Sequence, residues 1–164
     1  MHDLIRELME NSTSFSYLLS LSVAMLCGMM LGAERAVAHK SAGMRTYALV
    51  SMGAALFVVI GNTVIDRFTH GAGFDPVHIL SAIISGVGFM GAGVIIFKDT
   101  SVTGLTTASG LWVAAGIGIA CGFNLFTLAV IATLLSLFIF IVMYRLEQLV
   151  KYFARKNDPD GIDH

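Results

Sequence analysis

An all-α, polytopic membrane protein built as a bundle of about five transmembrane helices is the fold class this sequence predicts, on three observations. The 164 residues are 56% hydrophobic and only 13% charged, with mean hydropathy +0.80, whereas soluble domains carry about a quarter charged residues. Four uncharged runs divide the chain: Asn11 to Ala33, Thr46 to Ile65, Pro76 to Phe97, and a 45-residue stretch from Thr100 to Tyr144. Finally, Lys and Arg are unevenly shared between alternate connections. A helix crosses a hydrocarbon core about 30 Å thick with roughly 20 residues, so each of the first three runs makes one span and the fourth makes two.

The helices are expected near residues 15–33, 46–65, 77–97, 105–121 and 124–144, within one membrane domain covering 1–164. The break between the last two falls at Cys121-Gly122-Phe123-Asn124, the only plausible interruption in the long run. Helix 1 follows a segment with Asp3, Glu7 and Glu10 against Arg6, which is not the positive region of a cleavable signal, so it is expected to remain as a span. Helix 3 opens after Asp75-Pro76, an N-cap followed by proline at the first helical position. His78 beside it reads as interfacial packing rather than a metal ligand. Trp112, well inside helix 4, is expected to pack against another helix or subunit. Cys27 and Cys121 read as packed thiols. Residues 145–156, RLEQLVKYFARK, suit either an amphipathic interfacial helix or an extension of helix 5.

With the N-terminus outside, inner segments hold Arg35, Lys40, Arg45, Lys98, Arg145, Lys151, Arg155 and Lys156, and outer ones only Arg6 and Arg67. Basic residues favour the cytoplasmic side, so the predicted topology is N-out/C-in. A shift of 61 residues aligns Met29 with Met90, Gly32 with Gly93, Gly43 with Gly104, Thr46 with Thr107 and Ala54 with Ala115. This sets a weak parallel repeat of helices 1–2 and 3–4 against coincidence in a Gly-, Ala- and Met-rich chain.

The octet GVGFMGAG, residues 86–93, carries the G-x-G-x-x-G spacing of a dinucleotide loop. Its depth in a membrane span excludes that role, because strand-to-loop backbone exposed to lipid would leave polar groups unsatisfied. In lipid, small residues let helix backbones approach closely. Gly86, Gly88, Gly91 and Gly93 surround helix 3, which is therefore expected to be central. Gly28 and Gly32 on helix 1, and Ala114, Gly118 and Gly122 on helix 4, are expected to join it. An unwound, ion-coordinating segment in helix 3 is the sharper alternative.

The central parts of the spans hold no charge, which argues against a proton relay across the midplane. Polar groups gather instead at the inner face: Glu34, Arg35, Arg45, Thr46, Lys98, Asp99, Thr103, Thr106 and Thr107. Glu34 is expected to pair with Arg45. Glu34 and Asp99 are candidate ligands for a hard cation such as Mg2+, and Thr106 and Thr107 open helix 4, whose free N–H groups favour an anion. Caps and interfacial ion pairs that fix loop geometry are the alternative. No catalytic constellation appears, so an enzyme is not expected.

The ordered stretches GMMLGAER (28–35), AGMRTYALVSMG (42–53), SGVGFMGAGVI (85–95) and GLTTASGLW (104–112) resemble the successive motifs of the MgtC/SapB family of bacterial inner-membrane proteins. The resemblance implies a compact, dimeric bundle in the inner membrane, associated with Mg2+ limitation, acid stress and virulence. Its members act as regulators of other membrane machinery, including the ATP synthase, or as transporters. It carries over Glu34, Arg35, Arg45, Thr46, Gly86, Gly88, Gly91, Gly93, Gly104, Thr106 and Thr107. The sequence departs from the pattern at His78, Ala82 and Thr103, where members carry Arg, Gln and Arg, and a compact form without the soluble C-terminal domain of virulence-associated members is expected. The expected function is a non-enzymatic regulator or stress factor linked to Mg2+ or pH homeostasis, the alternative a small ion or solute transporter. Expected partners are the lipid bilayer, a second copy and another inner-membrane complex, with no cofactor and no nucleic acid.

Overall fold

The computed structural model describes the backbone of residues 2–68, 76–98 and 101–157, and the side chains of residues 13–65, 77–97 and 101–153. Five helices among them are long and apolar enough to cross a membrane. Helix α1 runs His2–Val37, α2 Met44–Phe68, α3 Pro76–Val94, α4 Leu105–Gly122 and α5 Phe126–Phe138. Helix α5 passes through a π-helical turn, Ile139–Met143, directly into α6, Tyr144–Asn157. Residues 145–157 thus continue the helix of the fifth span.

The α4–α5 break has a local cause. Asn124 adopts a left-handed conformation (φ 60°), which Asn tolerates better than most residues. The turn closes on Asn124 N–H donating to the Cys121 carbonyl (2.9 Å) and Leu125 N–H to that of Ala120 (2.8 Å). The Ser20 hydroxyl of α1 donates to Asn124 Oδ1 at 3.0 Å, which ties the turn to the first helix.

Helix α3 stops three residues before the expected 97. The chain turns into a short antiparallel hairpin, β1 (Ile96–Lys98) and β2 (Ser101–Thr103), with Phe97 opposite Val102. Gly104 then starts α4 at φ 91°, where a side chain would be strained and would meet the Val94 carbonyl. That requirement ends α3 early: the chain must fold back over Val94 to enter α4.

The centre of the bundle is α4, not α3. Of the α4 span 56% is buried, against 17% of α3, and α4 contacts α1, α2, α3 and α5. A Cβ on Gly28 would lie 2.5 Å from the Tyr47 carbonyl oxygen, one on Gly32 2.5 Å from Met44 Cα, and one on Gly118 would strike the Ser51 carbonyl. Helices α1 and α4 therefore both approach the α2 backbone too closely for any side chain. By contrast, a Cβ on Gly86, Gly88 or Gly93 would meet nothing within 4 Å, and one on Gly91 would make ordinary contact with Ala108 Cβ at 3.6 Å. The expectation that these glycines pack helix 3 into the centre of the chain is corrected. The small residues of α4 that could have received them, Gly118 and Gly122, already face Ser51 and Val58 of α2. The octet is regular helix, so the unwound alternative is also set aside. At the Gly32/Gly93 pair the two halves of the weak repeat differ outright.

Trp112 is 54% exposed, so it packs against no helix of its own chain to any depth. Both cysteines are free and buried.

Gly118→Leu and Gly28→Leu are expected to destabilise the purified protein by at least about 1–3 kcal/mol, the usual range for overpacking. Gly88→Leu should stay within about 0.5 kcal/mol, as an exposed substitution does. Thermal unfolding in detergent, with the oligomer size held constant, checks the contrast.

Candidate functional site

At the end of the bundle that carries the 38–43 loop, four helices converge on a buried cation. Arg35, in the last turn of α1, is 3% exposed. Its guanidinium forms an ion pair with Glu34 and stacks on the Phe140 ring, with Cζ 3.8 Å from the centroid. Phe140 is the one buried residue of the π-helical turn. A π turn holds one more residue than an α turn and re-aims the side chains that follow. Beneath the ring lies Gly110 of α4, where a Cβ would sit 2.9 Å from Phe140 Cζ and would also strike the Tyr47 hydroxyl. Tyr47, fully buried, donates from that hydroxyl to the Thr107 carbonyl at 3.4 Å. Arg35, Phe140, Gly110, Tyr47 and Thr107 thereby join α1, α5, α4 and α2 in one clasp.

The energetic ranking within the clasp follows from the cost of burial. Leaving a buried charge without its counter-ion costs about 3–5 kcal/mol, whereas a desolvated cation–π contact contributes about 2 kcal/mol. Glu34 is therefore the residue on which Arg35 depends most, and Phe140 the residue that fixes the plane of the guanidinium.

The structure gathers some of the predicted polar residues and separates others. Glu34, Arg35 and Thr107 belong to the clasp. Arg45 and Thr46, on the first turn of α2, are exposed, as is Thr106. The expected Glu34–Arg45 pair is corrected: Glu34 turns to Arg35, which the packing of Phe140 holds inside the bundle, while Arg45 points out of it. Asp99 lies outside the described residues. Glu34 is paired with Arg35 through its Oε2 oxygen, and among the described residues no three His, Cys, Asp or Glu side chains come together. Thr103 donates to the Ile96 carbonyl across the hairpin at 3.4 Å; His78 and Ala82 are exposed on α3.

Two features were not read from the sequence. Phe140 stands in an apolar run with nothing to mark it; only the need of a buried Arg35 for partners points to an aromatic ring. At the opposite end, Ser16 and Ser20 both reach Asn124 Oδ1 (3.5 and 3.0 Å), and the Tyr17 hydroxyl lies 3.0 Å from that of Thr63. Ser16, Tyr17 and Ser20 share one face of α1 at helical spacing, a signal that could have been used. Between the two ends, the Ser51 hydroxyl is the one buried side-chain oxygen or nitrogen without a hydrogen-bond partner among the described residues.

The family model described as the MgtC family matches residues 21–149. Protein MgtC of Salmonella typhimurium LT2 is 42% identical over 99 residues, 60% of this chain and 40% of that protein. Protein MgtC of Brucella abortus is 36% identical over 137 residues, 84% of this chain and 55% of its own length. An Escherichia coli K12 protein named "Putative magnesium transporter YhiD" is 34% identical over 126 residues, 75% of this chain and 58% of that protein. The chain thus spans about half the length of the curated relatives it matches. No solved structure matches it.

Glu34→Gln is expected to lower stability by about 3 kcal/mol or more, because it strands the Arg35 charge. Phe140→Leu, which keeps an apolar filler, should cost only about 1–2 kcal/mol. Denaturant or thermal unfolding of both variants in the same detergent checks the order, which is the informative result.

Proposed function

This chain belongs to the MgtC family, and from that premise we propose that it is a non-enzymatic regulator or stress factor of the bacterial inner membrane, linked to Mg2+ or pH homeostasis. The observation that carries the reading is the closed state of the polar end. Its buried cation is neutralised by Glu34 and capped by Phe140, and the central parts of the spans hold no charged residue. A route for Mg2+ or protons needs ionisable or oxygen-rich groups facing a water-filled path. Among the described residues no such set of groups is gathered, which supports an effect exerted through the surfaces of the bundle. Two such surfaces fit protein partners, whether a second copy in a homodimer or another membrane complex: the face of α3 with its unoccupied glycines, and the outward face of α4 carrying Trp112.

The second reading is a small transporter acting as a dimer. It is favoured by the name of the Escherichia coli relative, which refers to magnesium transport. In that reading the threonine start of α4 would line the route together with α3.

The topology proposed with this function is N-out/C-in. Reporter fusions in the 38–43 loop and after residue 157 are expected to report the cytoplasm, and fusions within residues 69–75 the opposite side. The reverse pattern would move the clasp to the outer face and remove the basis for a cytoplasmic partner. The regulatory reading further predicts that a strain lacking the gene grows poorly when Mg2+ is scarce, and that the affinity-tagged full chain restores growth while co-purifying a defined membrane complex. Restoration by a form that co-purifies nothing would count against it.

A further inference from the structure

We propose that the groove between α1 and α2 binds one anionic phospholipid, with the headgroup phosphate on Arg45 and an acyl chain lying along methionines. The groove has a volume of about 390 Å3 and is lined by Met25, Met29, Met44, Arg45, Ala48 and Met52, among others. That falls within the roughly 300–1,000 Å3 typical of ligand pockets. Methionine has three rotatable bonds and a polarisable sulfur, so four of them make a wall that adapts to a flexible chain.

Charge selects the occupant. Arg45 is exposed and lines the groove with the apolar stem of its side chain, the wall itself being wholly apolar, so that its guanidinium stands clear of that wall. The two carboxylates whose side chains are described are committed elsewhere, Glu34 to Arg35 and Glu147 to Lys151. Arg45 therefore has no acidic partner among the described residues, and exposed His39 and Lys40 in the adjoining loop add to the basic character there. A guanidinium matches a phosphate with two parallel hydrogen bonds, and basic pockets between transmembrane helices are a recurrent form of anionic headgroup site.

Depth agrees with charge. Arg45 stands at the first turn of α2 and Met52 seven residues along it, about 10 Å down the axis at 1.5 Å per residue. One leaflet of the hydrocarbon core is about 15 Å thick. The groove thus runs from headgroup level through the upper two thirds of one leaflet. The pairing of Arg35 with Glu34 is what leaves Arg45 available, so the clasp and the lipid site are complementary consequences of one arrangement.

The test titrates the purified full chain, in uncharged detergent, with phosphatidylglycerol, with phosphatidylcholine of the same acyl chains, and with inorganic phosphate, and reads the rise in unfolding temperature as binding. Phosphatidylglycerol is expected to bind about tenfold tighter than phosphatidylcholine, whose phosphate is neutralised by a choline cation that also repels Arg45, with no effect of phosphate at the same concentrations. Arg45→Gln should shrink the preference to within about twofold while leaving the lipid-free unfolding temperature unchanged, since the side chain is exposed. Met29→Trp or Met44→Trp, each filling the groove from a half-exposed position, should weaken both lipids together. Equal binding of the two lipids by the unaltered protein, or a preference that survives Arg45→Gln, overturns the proposal. Stabilisation by phosphate alone, or lipid binding untouched by both tryptophan variants, overturns it too.

Discussion

The structure depends on how closely α1 and α4 can approach the backbone of α2. Inside a bilayer, apolar side chains gain nothing by leaving lipid for protein, so helices associate where backbones can touch. Gly28 and Gly32 of α1 and Gly118 of α4 meet carbonyl or Cα atoms of α2 at distances that no Cβ could occupy. These contacts form a three-helix core, against which α3 and α5 are laid. The fully buried side chains follow that plan: Leu31 on α1, Tyr47 and Val58 on α2, Leu111 and Ile117 on α4.

The same approach creates the clasp. Bringing the end of α1 against the start of α2 carries Arg35 inside the bundle, where an unpaired charge could not remain. Glu34 neutralises it, and the π turn of the fifth span supplies the ring that covers it. Gly110 gives that ring and the Tyr47 hydroxyl room. An interior cation held in this way is a fixed structural element, with its charge directed to a neighbour in the chain and not to a passing ion. Arg45, ten residues on, keeps its charge for whatever lies outside.

Much of the architecture could be read from run lengths. A 45-residue apolar stretch must break, and Gly-Phe-Asn is the only place it can, as the left-handed Asn124 confirms. The G-x-x-x-G pair of α1 and Gly118 do make close backbone contacts, but with α2 and not with helix 3 as expected. The glycine octet was misplaced because spacing shows where a helix is small, not whether a neighbour has small residues left to offer it. The hairpin at 96–103 was hidden because Ile95, Ile96 and Phe97 extend an apolar run equally well as helix or strand. The clasp was half legible. Glu34 and Arg35 stand out at the membrane boundary, but their partner lies more than a hundred residues away in a segment with no polar mark.

The central proposal is that this protein exerts its effect through its surfaces and not by carrying ions. The most direct measurement is flux of Mg2+ and of protons into liposomes reconstituted with the purified full chain, compared with empty liposomes of the same lipid composition. The account predicts equal, background rates for both ions. Saturable flux of either ion that disappears in Thr106→Val, with the variant still folded, would contradict it.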